Sequence, residues 1–358
     1  MDSFKGSLTS LQAGNAVRDG ILSASSDHDV TVLPLADGGE GTLEALVNGL
    51  EGETKTLTVT GPDGRKVTAS YGIVHNDTAI IEMAQASGLT LMEKNDVLTA
   101  TTYGTGELIE DALDAGIRKF VIGIGGSATN DGGTGMLEAL GVSFMQGARG
   151  ALGLKSLTGI DIRGLDRRIM DSTIQVACDV RNPLVGPSGC SFVYALQKGA
   201  TDEQVRQMDM WMTSYAKLTA EVIPSADPQF PGSGAAGGMG FALKYYLQAE
   251  LVSGAGLILE VTEFEKRIRE SDVLITGEGR LDGQSLNGKG PVEAAKIAKA
   301  SGKEAIAFAG SEGPDAKLLL EMFDSYHILP EVPGFMQSDV AYRNLQETVR
   351  DYFLENRL

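Results

Sequence analysis

A glycine-rich segment at residues 125–133 is the strongest candidate in this sequence for binding phosphate groups. It follows an apolar run at residues 120–125 and precedes helix-forming residues at 136–140. A helix N-terminus presents unpaired N–H groups with a partial positive charge, and glycines let the backbone approach phosphate oxygens closely. A glycine-rich turn without a ligand is the alternative interpretation. The residues expected to contact phosphate are Gly125, Gly126, Ser127, Ala128, Thr129 and Asn130.

Two further glycine-rich loops carry charged side chains. Residues 36–42 contain Asp37 and Glu40, whose carboxylates could bind Mg²⁺, accept a proton from a hydroxyl, or cap the helix that starts at Thr42. In residues 276–283, Arg280 could bind a carboxylate or phosphate through two parallel hydrogen bonds. A surface ion pair between Glu278 and Arg280 is the alternative for this loop.

Other polar residues stand close to predicted strand ends or helix starts. Asp179 follows the apolar run at residues 174–178, where an isolated carboxylate usually has a partner or a metal. Lys198 precedes a predicted helix and could neutralise a transferring phosphate, or be a solvated surface lysine. The three histidines lack metal-ligand spacing, so no zinc site is expected. Cys178 and Cys190 are expected to be small packing residues.

These loops are separated by alternating strand-like and helix-like segments, which predict an α/β protein with a largely parallel sheet. The predicted strands are residues 30–35, 120–125, 273–276, 305–309 and 327–329. Alternating apolar residues at 57–73 around a turn at 61–64 predict an antiparallel hairpin, where a second architecture begins. The sequence therefore predicts a discontinuous α/β domain formed by residues 1–65 and 262–358, with a second α/β domain inserted at residues 66–261.

Length and composition exclude several classes of protein. The chain has 358 residues, and 30 basic against 48 acidic side chains give a net charge of −18. Nucleic acid and anionic membrane surfaces are therefore unexpected partners. Two cysteines cannot form a disulfide framework, and no secretion leader or membrane-spanning run is evident, which indicates a cytoplasmic protein. Forty-six glycines clustered in loops indicate backbone wrapped around a ligand.

Eight motifs in order resemble the bacterial type I glycerate kinase family over nearly the whole chain. The resemblance implies phosphorylation of D-glycerate with ATP and Mg²⁺, with 2-phosphoglycerate the product usual for this type. It also implies a cleft between a flavodoxin-like domain and an inserted α/β domain. The motifs occupy residues 2–7, 37–42, 125–133, 177–180, 197–200, 234–240, 276–283 and 286–289.

Roles within that reaction follow from chemical type. We expect Lys5 and Lys198 to neutralise phosphate charge, and Asp37 or Asp179 to act as the base and to bind the metal, without choosing between them. Arg280 is expected to bind the substrate carboxylate. The other residues expected at the substrate are Ser3 and Asp282.

Two positions depart from the family pattern. Ala195-Leu196 stands where the family usually has Gly-Pro before Gln-Lys-Gly-Ala. Met1 takes the place of a proline that normally follows a short apolar strand, so we expect that first strand to be missing and the chain to be truncated. Two other functions stay open from the residues alone: an NAD(P)-dependent oxidoreductase using the pattern at residues 123–128, and a non-catalytic protein that binds a sugar acid or a nucleotide.

Overall fold

Parallel strand pairing dominates the core sheets of the protein, as seen in a computed structural model that describes residues 1–4, 6–36, 41–147, 149–286 and 288–356. The strands in these ranges are β1 (Glu53–Thr60), β2 (Lys66–Val74), β3 (Thr78–Glu82), β4 (Lys119–Gly123), β5 (Ser143–Met145), β6 (Gly159–Asp161), β7 (Thr173–Ala177), β8 (Glu250–Val252), β9 (Val273–Leu281), β10 (Glu304–Glu312) and β11 (Ser325–Ile328).

Helices connect most of these strands. None of the helices within the described ranges is both long and apolar enough to cross a membrane. The α-helices are α1 (Ser10–Ala24), α2 (Thr42–Gly49), α3 (Ala84–Ser87), α4 (Tyr103–Asp114), α5 (Thr134–Ala139), α6 (Ala151–Ser156), α7 (Cys190–Tyr194), α8 (Asp202–Val222), α9 (Ala235–Tyr246), α10 (Gly254–Val261), α11 (Phe264–Arg269), α12 (Gly290–Ala300) and α13 (Ser338–Asn356). Short 3₁₀ helices span Leu89–Leu91, Arg167–Asp171, Leu196–Lys198, Gly283–Leu286 and Ala316–Glu321.

The chain divides into two units. Unit A comprises Met1–Asp37, Glu44–Leu50 and Ala255–Leu358, and unit B comprises Gly38–Leu43 and Glu51–Gly254. The main boundaries therefore differ from the predicted ones at 65/66 and 261/262. The first lies earlier because β1 pairs with β2 along its whole length, from Glu53 opposite Ile73 to Thr60 opposite Lys66, so the hairpin stays together in unit B.

Unit A is built on a parallel sheet with the strand order β11-β10-β9. Alternate residues of β10 face opposite sides of the sheet. Ile306 and Phe308 belong to a core with residues of α1 and α13, whereas Ala305, Ala307 and Ala309 belong to a second core with residues of α11 and α12. Helices thus cover both faces, which explains why the strands are apolar throughout.

The predicted strand at residues 30–35 is wrong, since the structure assigns no strand there. Instead, the backbone N–H of Leu35 donates to Ser10 Oγ (2.9 Å), whose hydroxyl donates to the Met1 carbonyl (2.7 Å). Along the edge of β9, the N–H of Asp2 donates to the Gly277 carbonyl (2.8 Å). Residues 30–35 thus have the composition of a strand, but Leu35 N is bonded to a side chain and not to a neighbouring strand. The other four predicted strands are confirmed.

Unit B contains a six-stranded sheet with the order β1-β2-β3-β4-β7-β8. β1 and β2 are antiparallel neighbours, as the hairpin pattern predicted. β3 adds a further antiparallel pair with β2, whereas β3, β4, β7 and β8 run parallel. Glu82, Gly123 and Ala177 stand side by side at the carboxyl ends of three parallel strands. Ligands of parallel sheets usually bind at this edge. The loops that begin there, at residues 124–133 and 178–180, are the ones the sequence singled out.

Candidate active site

Lys198 is a buried cation at the centre of the candidate site in unit B. Its residue is only 4% exposed, and its Nζ donates to Ser127 Oγ (2.7 Å) and to the Thr129 carbonyl (2.7 Å). Burial lowers the pKa of the ammonium to about 8. Gly199 ends this turn at φ +93°, where a Cβ would lie 2.6 Å from the Asn95 carbonyl. The alternative interpretation of Lys198 as a solvated surface lysine is therefore wrong.

The glycine-rich loop beside Lys198 is fixed by backbone hydrogen bonds. Leu89 N donates to the Gly126 carbonyl (2.9 Å), and Ala128 N donates to the Ser87 carbonyl (2.9 Å). Gly125 and Gly126 are exposed, and Gly126 has φ +69°, a conformation that L-residues rarely adopt. The loop thus presents two bare backbone units to solvent immediately before the buried Ser127 hydroxyl that Lys198 contacts.

Two buried polar atoms in this loop have no hydrogen-bond partner among the residues that the structure describes. They are Thr129 Oγ1 and Asn130 Oδ1, whose residues have no exposed surface. The other end of the Asn130 amide donates to Ser191 Oγ (2.9 Å), which fixes the orientation of the side chain. Leaving a buried polar atom unpaired costs free energy, so such atoms mark places where a ligand or a water completes the structure.

Asp131 accepts hydrogen bonds at the N-terminus of α5, for which the sequence predicted phosphate binding. Its buried carboxylate accepts hydrogen bonds from Thr102 N (2.9 Å), Thr102 Oγ1 (2.9 Å), Gly133 N (3.0 Å) and Gly135 N (3.3 Å). Burial raises the pKa of this carboxyl, an effect that the four donors oppose. The expectation that unpaired N–H groups of α5 face a ligand is therefore wrong. The first three N–H groups of α5 donate to the Asp131 carbonyl, the Asp131 carboxylate and Thr102 Oγ1. Positive charge at the loop comes from Lys198.

The second glycine-rich segment of unit B supports the first. Gly132 N donates to the Gly237 carbonyl (2.9 Å). Gly237 has φ +68°, and a Cβ there would lie 2.1 Å from the Thr129 carbonyl, which only glycine permits. Residues 236–238 are non-helical within α9 and form this contact. Residues 231–240 therefore act as a backbone scaffold for the loop at 125–133.

Asp179 follows β7, and its Oδ1 accepts a hydrogen bond from Gly254 N (3.0 Å). The carboxylate therefore fixes the start of a helix, whatever else it binds. Among the described residues, no group of three or more His, Cys, Asp or Glu side chains is arranged to hold a metal ion. Asp37 and Glu40 of the second loop, and Lys5, lie outside the described residues.

In unit A, the prediction of a loop at residues 276–283 is wrong for most of its length, because β9 continues to Leu281 through its pairing with β10. The candidate residues of this segment form two ion pairs. Glu278 is buried, 6% exposed, and accepts hydrogen bonds from Ser285 Oγ (2.5 Å) and Lys289 Nζ (2.9 Å). Arg280 is 59% exposed, and its Nε lies 3.7 Å from Asp282 Oδ2. The alternative of a Glu278–Arg280 surface pair is therefore wrong, since each residue has a different partner.

Ser3 lies beside the same strand of unit A. Its N–H donates to Asp2 Oδ1 (2.6 Å), and Asp2 is anchored to β9 through the Gly277 carbonyl. Sequence reasoning gave no role to Asp131, Ser191, Ser285 or Lys289. The motif at residues 286–289 was an available signal for Lys289, and an aspartate just before a predicted helix was one for Asp131. The contacts of Ser191 and Ser285 depend on residues brought together by the fold.

A model of the family described as the glycerate kinase family matches residues 1–354 of the chain. The chain belongs to the glycerate kinase family. Glycerate kinase from Halalkalibacterium halodurans is 44% identical over 349 residues, covering 95% of this chain and 91% of that protein. Glycerate 2-kinase from Escherichia coli K12 is 45% identical over 318 residues, covering 87% of this chain and 84% of that protein.

A solved structure extends the comparison to three dimensions. A crystal structure assigned as glycerate kinase 2 from Salmonella typhimurium LT2 superposes with a TM-score of 0.92 at 41% identity, covering 99% of this chain and 96% of that one. The resemblance inferred from the eight motifs is thereby confirmed. At the departure from the glycerate kinase pattern, Ala195 is buried and Leu196 is exposed, and the turn still holds Lys198 against Ser127.

Proposed function

We propose that the protein transfers the γ-phosphoryl group of ATP to a hydroxyl of D-glycerate, with 2-phosphoglycerate as the product. Membership of a kinase family along almost the entire chain supports the reaction class. The name of the Escherichia coli relative, glycerate 2-kinase, supports the position of the acceptor hydroxyl. The observation that carries the proposal in this structure is the buried Lys198 ammonium held against the exposed glycine loop of unit B.

Phosphoryl transfer depends on positioning and charge neutralisation more than on covalent chemistry. An ammonium has three donors, and Lys198 uses two of them on Ser127 and Thr129. In the proposal, the third donor and the positive charge act on a phosphate group lying against Gly125 and Gly126. The unpaired Thr129 Oγ1 and Asn130 Oδ1 add polar contacts at the same loop.

The acceptor hydroxyl requires a base, for which we propose Asp179 or Asp37. Mg²⁺ in such sites is usually bound through one or two carboxylates together with phosphate oxygens and water. The same two aspartates therefore suffice as its protein ligands. Bound Mg²⁺ would neutralise charge on the phosphates.

The substrate carboxylate is assigned in the proposal to Arg280. Its guanidinium is exposed and loosely paired, which leaves its donors accessible to a ligand. A guanidinium also matches the two oxygens of a carboxylate with parallel hydrogen bonds. Ser3 and Asp282 are proposed as further substrate contacts, and Lys5 as a second cation for the transferring group.

A coupled assay tests the proposal against the two other functions. The protein is incubated with ATP, Mg²⁺ and D-glycerate, and ADP release is followed with and without glycerate. ADP release that depends on glycerate is the expected result. Glycerate-dependent reduction of NAD(P) supplied in place of ATP would instead identify an oxidoreductase. Thermal stabilisation by glycerate and ATP without turnover would identify a binding protein.

A further inference from the structure

A charged cluster in unit A lies outside the residues assigned above to the reaction. It consists of Glu278, Ser285 and Lys289, and we call it the Glu278 cluster. The Ser285 hydroxyl donates to Glu278 Oε1 (2.5 Å), and Lys289 Nζ donates to Oε2 (2.9 Å). Lys289 Nζ also lies 3.4 Å from Ser285 Oγ. Both oxygens of a nearly inaccessible carboxylate are therefore occupied by donors from one short segment.

The two ends of this ion pair differ in their access to solvent. The Glu278 side chain is 8% exposed, whereas the Lys289 side chain is 38% exposed. A buried carboxylate needs hydrogen-bonded partners, and Ser285 and Lys289 supply them. Because the ammonium carries three donors, Lys289 retains donor capacity beyond its bond to Glu278. The cluster thus holds a cation in a fixed position at an accessible surface.

Arg280 stands on the same face of the strand. Glu278 and Arg280 occupy alternate positions of β9, so their side chains project to one side, about 7 Å apart along the strand. This stretch combines two cations, Arg280 and Lys289, with two acids, Glu278 and Asp282. Two cations that are already offset by two acids leave little positive charge to neutralise a triphosphate, whereas a small monoanion with hydroxyl groups needs little more than directed hydrogen bonds.

We infer that Lys289 is a glycerate-binding residue, which contacts the substrate carboxylate together with Arg280, and that Glu278 is a positioning residue for its ammonium. The inference rests on the proposed function and names a substrate contact within it. A carboxylate has about four lone-pair positions on two oxygens, which accommodates donors from both cations. Ser285 completes the arrangement by fixing the Glu278 carboxylate.

Steady-state kinetics of the full-length protein test the inference with K289M, K289R and E278Q. Lys296 provides the matched control, because it too is a lysine paired with a glutamate. Its partner is Glu293, which lies on α12 with it (Lys296 Nζ to Glu293 Oε1, 2.7 Å), and the pair is exposed. We expect K289M to raise KM for D-glycerate about tenfold or more, the scale of one charged hydrogen bond. KM for ATP is expected to stay unchanged, as are all parameters of K296M. The thermal midpoint of K289M is expected to fall, because the buried Glu278 carboxylate loses a donor.

The other two variants separate binding from a structural role. K289R is expected to recover part of the affinity for glycerate, because it keeps the charge. E278Q is expected to raise KM for glycerate less than K289M, because Lys289 remains but is held less firmly. A lower thermal midpoint with an unchanged KM for glycerate would overturn the inference, as would equal increases in both KM values. Absence of glycerate phosphorylation by the wild-type protein would instead contradict the proposed function itself, and this inference with it.

Discussion

Replacing Lys198 with methionine is expected to abolish most ATP use while leaving the protein folded. The ammonium donates to Ser127 Oγ and the Thr129 carbonyl, and in the proposal it also contacts a phosphate group. One charged hydrogen bond contributes about 1.5–3 kcal/mol, which corresponds to a decrease in kcat/KM for ATP of roughly 10- to 150-fold. Methionine keeps most of the buried apolar stem, so the surrounding packing is retained.

The effect on stability is expected to be small because two contributions oppose each other. Lowering the pKa of Lys198 from 10.5 to about 8 corresponds to about 3 kcal/mol against the charged form in the folded protein. K198M removes that cost. It also removes two hydrogen bonds and leaves the Thr129 carbonyl short of a donor, which costs about 1–3 kcal/mol for each unpaired group. The thermal midpoint should therefore move by only a few degrees.

The assay compares kcat/KM for ATP, at saturating glycerate, in the wild-type protein, K198M and the control K119M. Lys119 forms an exposed pair with Asp77 in the same unit (2.6 Å), so its loss should change neither activity nor stability noticeably. An unchanged kcat/KM in K198M would refute the assignment of Lys198 to the phosphates. A collapse of the thermal midpoint with proportional loss of activity would show instead that the lysine is structural.

Lys198 also predicts a pH dependence. Because the charged form is the one that neutralises phosphate, kcat/KM for ATP should fall as pH rises through about 8. A bound triphosphate favours the ammonium, so the fall in kcat should appear at higher pH. The unfolded chain binds more protons at this lysine between pH 8 and 10.5, so its contribution to the free energy of unfolding increases over that range. If K198M retains the same fall near pH 8, another group is responsible.

Three further substitutions test the two units separately. G126V is expected to raise KM for ATP and to cost about 1–2 kcal/mol of stability, because a β-branched residue is strained at φ +69°; unchanged kinetics would exclude the loop from phosphate binding. R280K should raise KM for glycerate about tenfold with little change for ATP, and equal effects on both substrates would place Arg280 elsewhere. D131N should lower the free energy of unfolding by about 3 kcal/mol, and the thermal midpoint with it, since an amide group would direct its own N–H toward backbone donors; an unchanged midpoint would show that the carboxylate is dispensable.

Local sequence patterns predicted the elements that position the site. The apolar run before residues 125–133 forms β4, and the hairpin at residues 57–73 forms β1 and β2. The run at residues 273–276 forms only the start of β9, which continues to Leu281 through the segment predicted as a loop. These features depend on side-chain periodicity within a few residues. The prediction of a strand at residues 30–35 was wrong for a physical reason. A strand forms only when a neighbouring strand pairs with it, and here Leu35 N donates to Ser10 Oγ.

The contacts that define the site depend on distant parts of the chain. Lys198 and Ser127, which are hydrogen-bonded, lie 71 residues apart in the sequence, and Asp131 and Thr102 lie 29 residues apart. The burial of the lysine is not encoded in local composition. The contacts of Asp131 with Gly133 and Gly135 are local, whereas its pairing with Thr102 is not. The sequence could name Lys198 as a candidate by its neighbours, but not distinguish a buried ammonium from a solvated one. Glu278 and Lys289, separated by 11 residues, were likewise joined only by the fold.

Phosphorus NMR of the reaction product tests the central claim most directly. The protein is incubated with ATP, Mg²⁺ and D-glycerate, and the spectrum is recorded with coupling to protons retained. The proposed product, 2-phosphoglycerate, carries its phosphate on a carbon with one hydrogen, so we predict a new phosphomonoester signal split into a doublet. A triplet would identify the 3-phosphate and contradict the proposed acceptor position. The absence of any new phosphomonoester signal would contradict the phosphorylation of glycerate altogether.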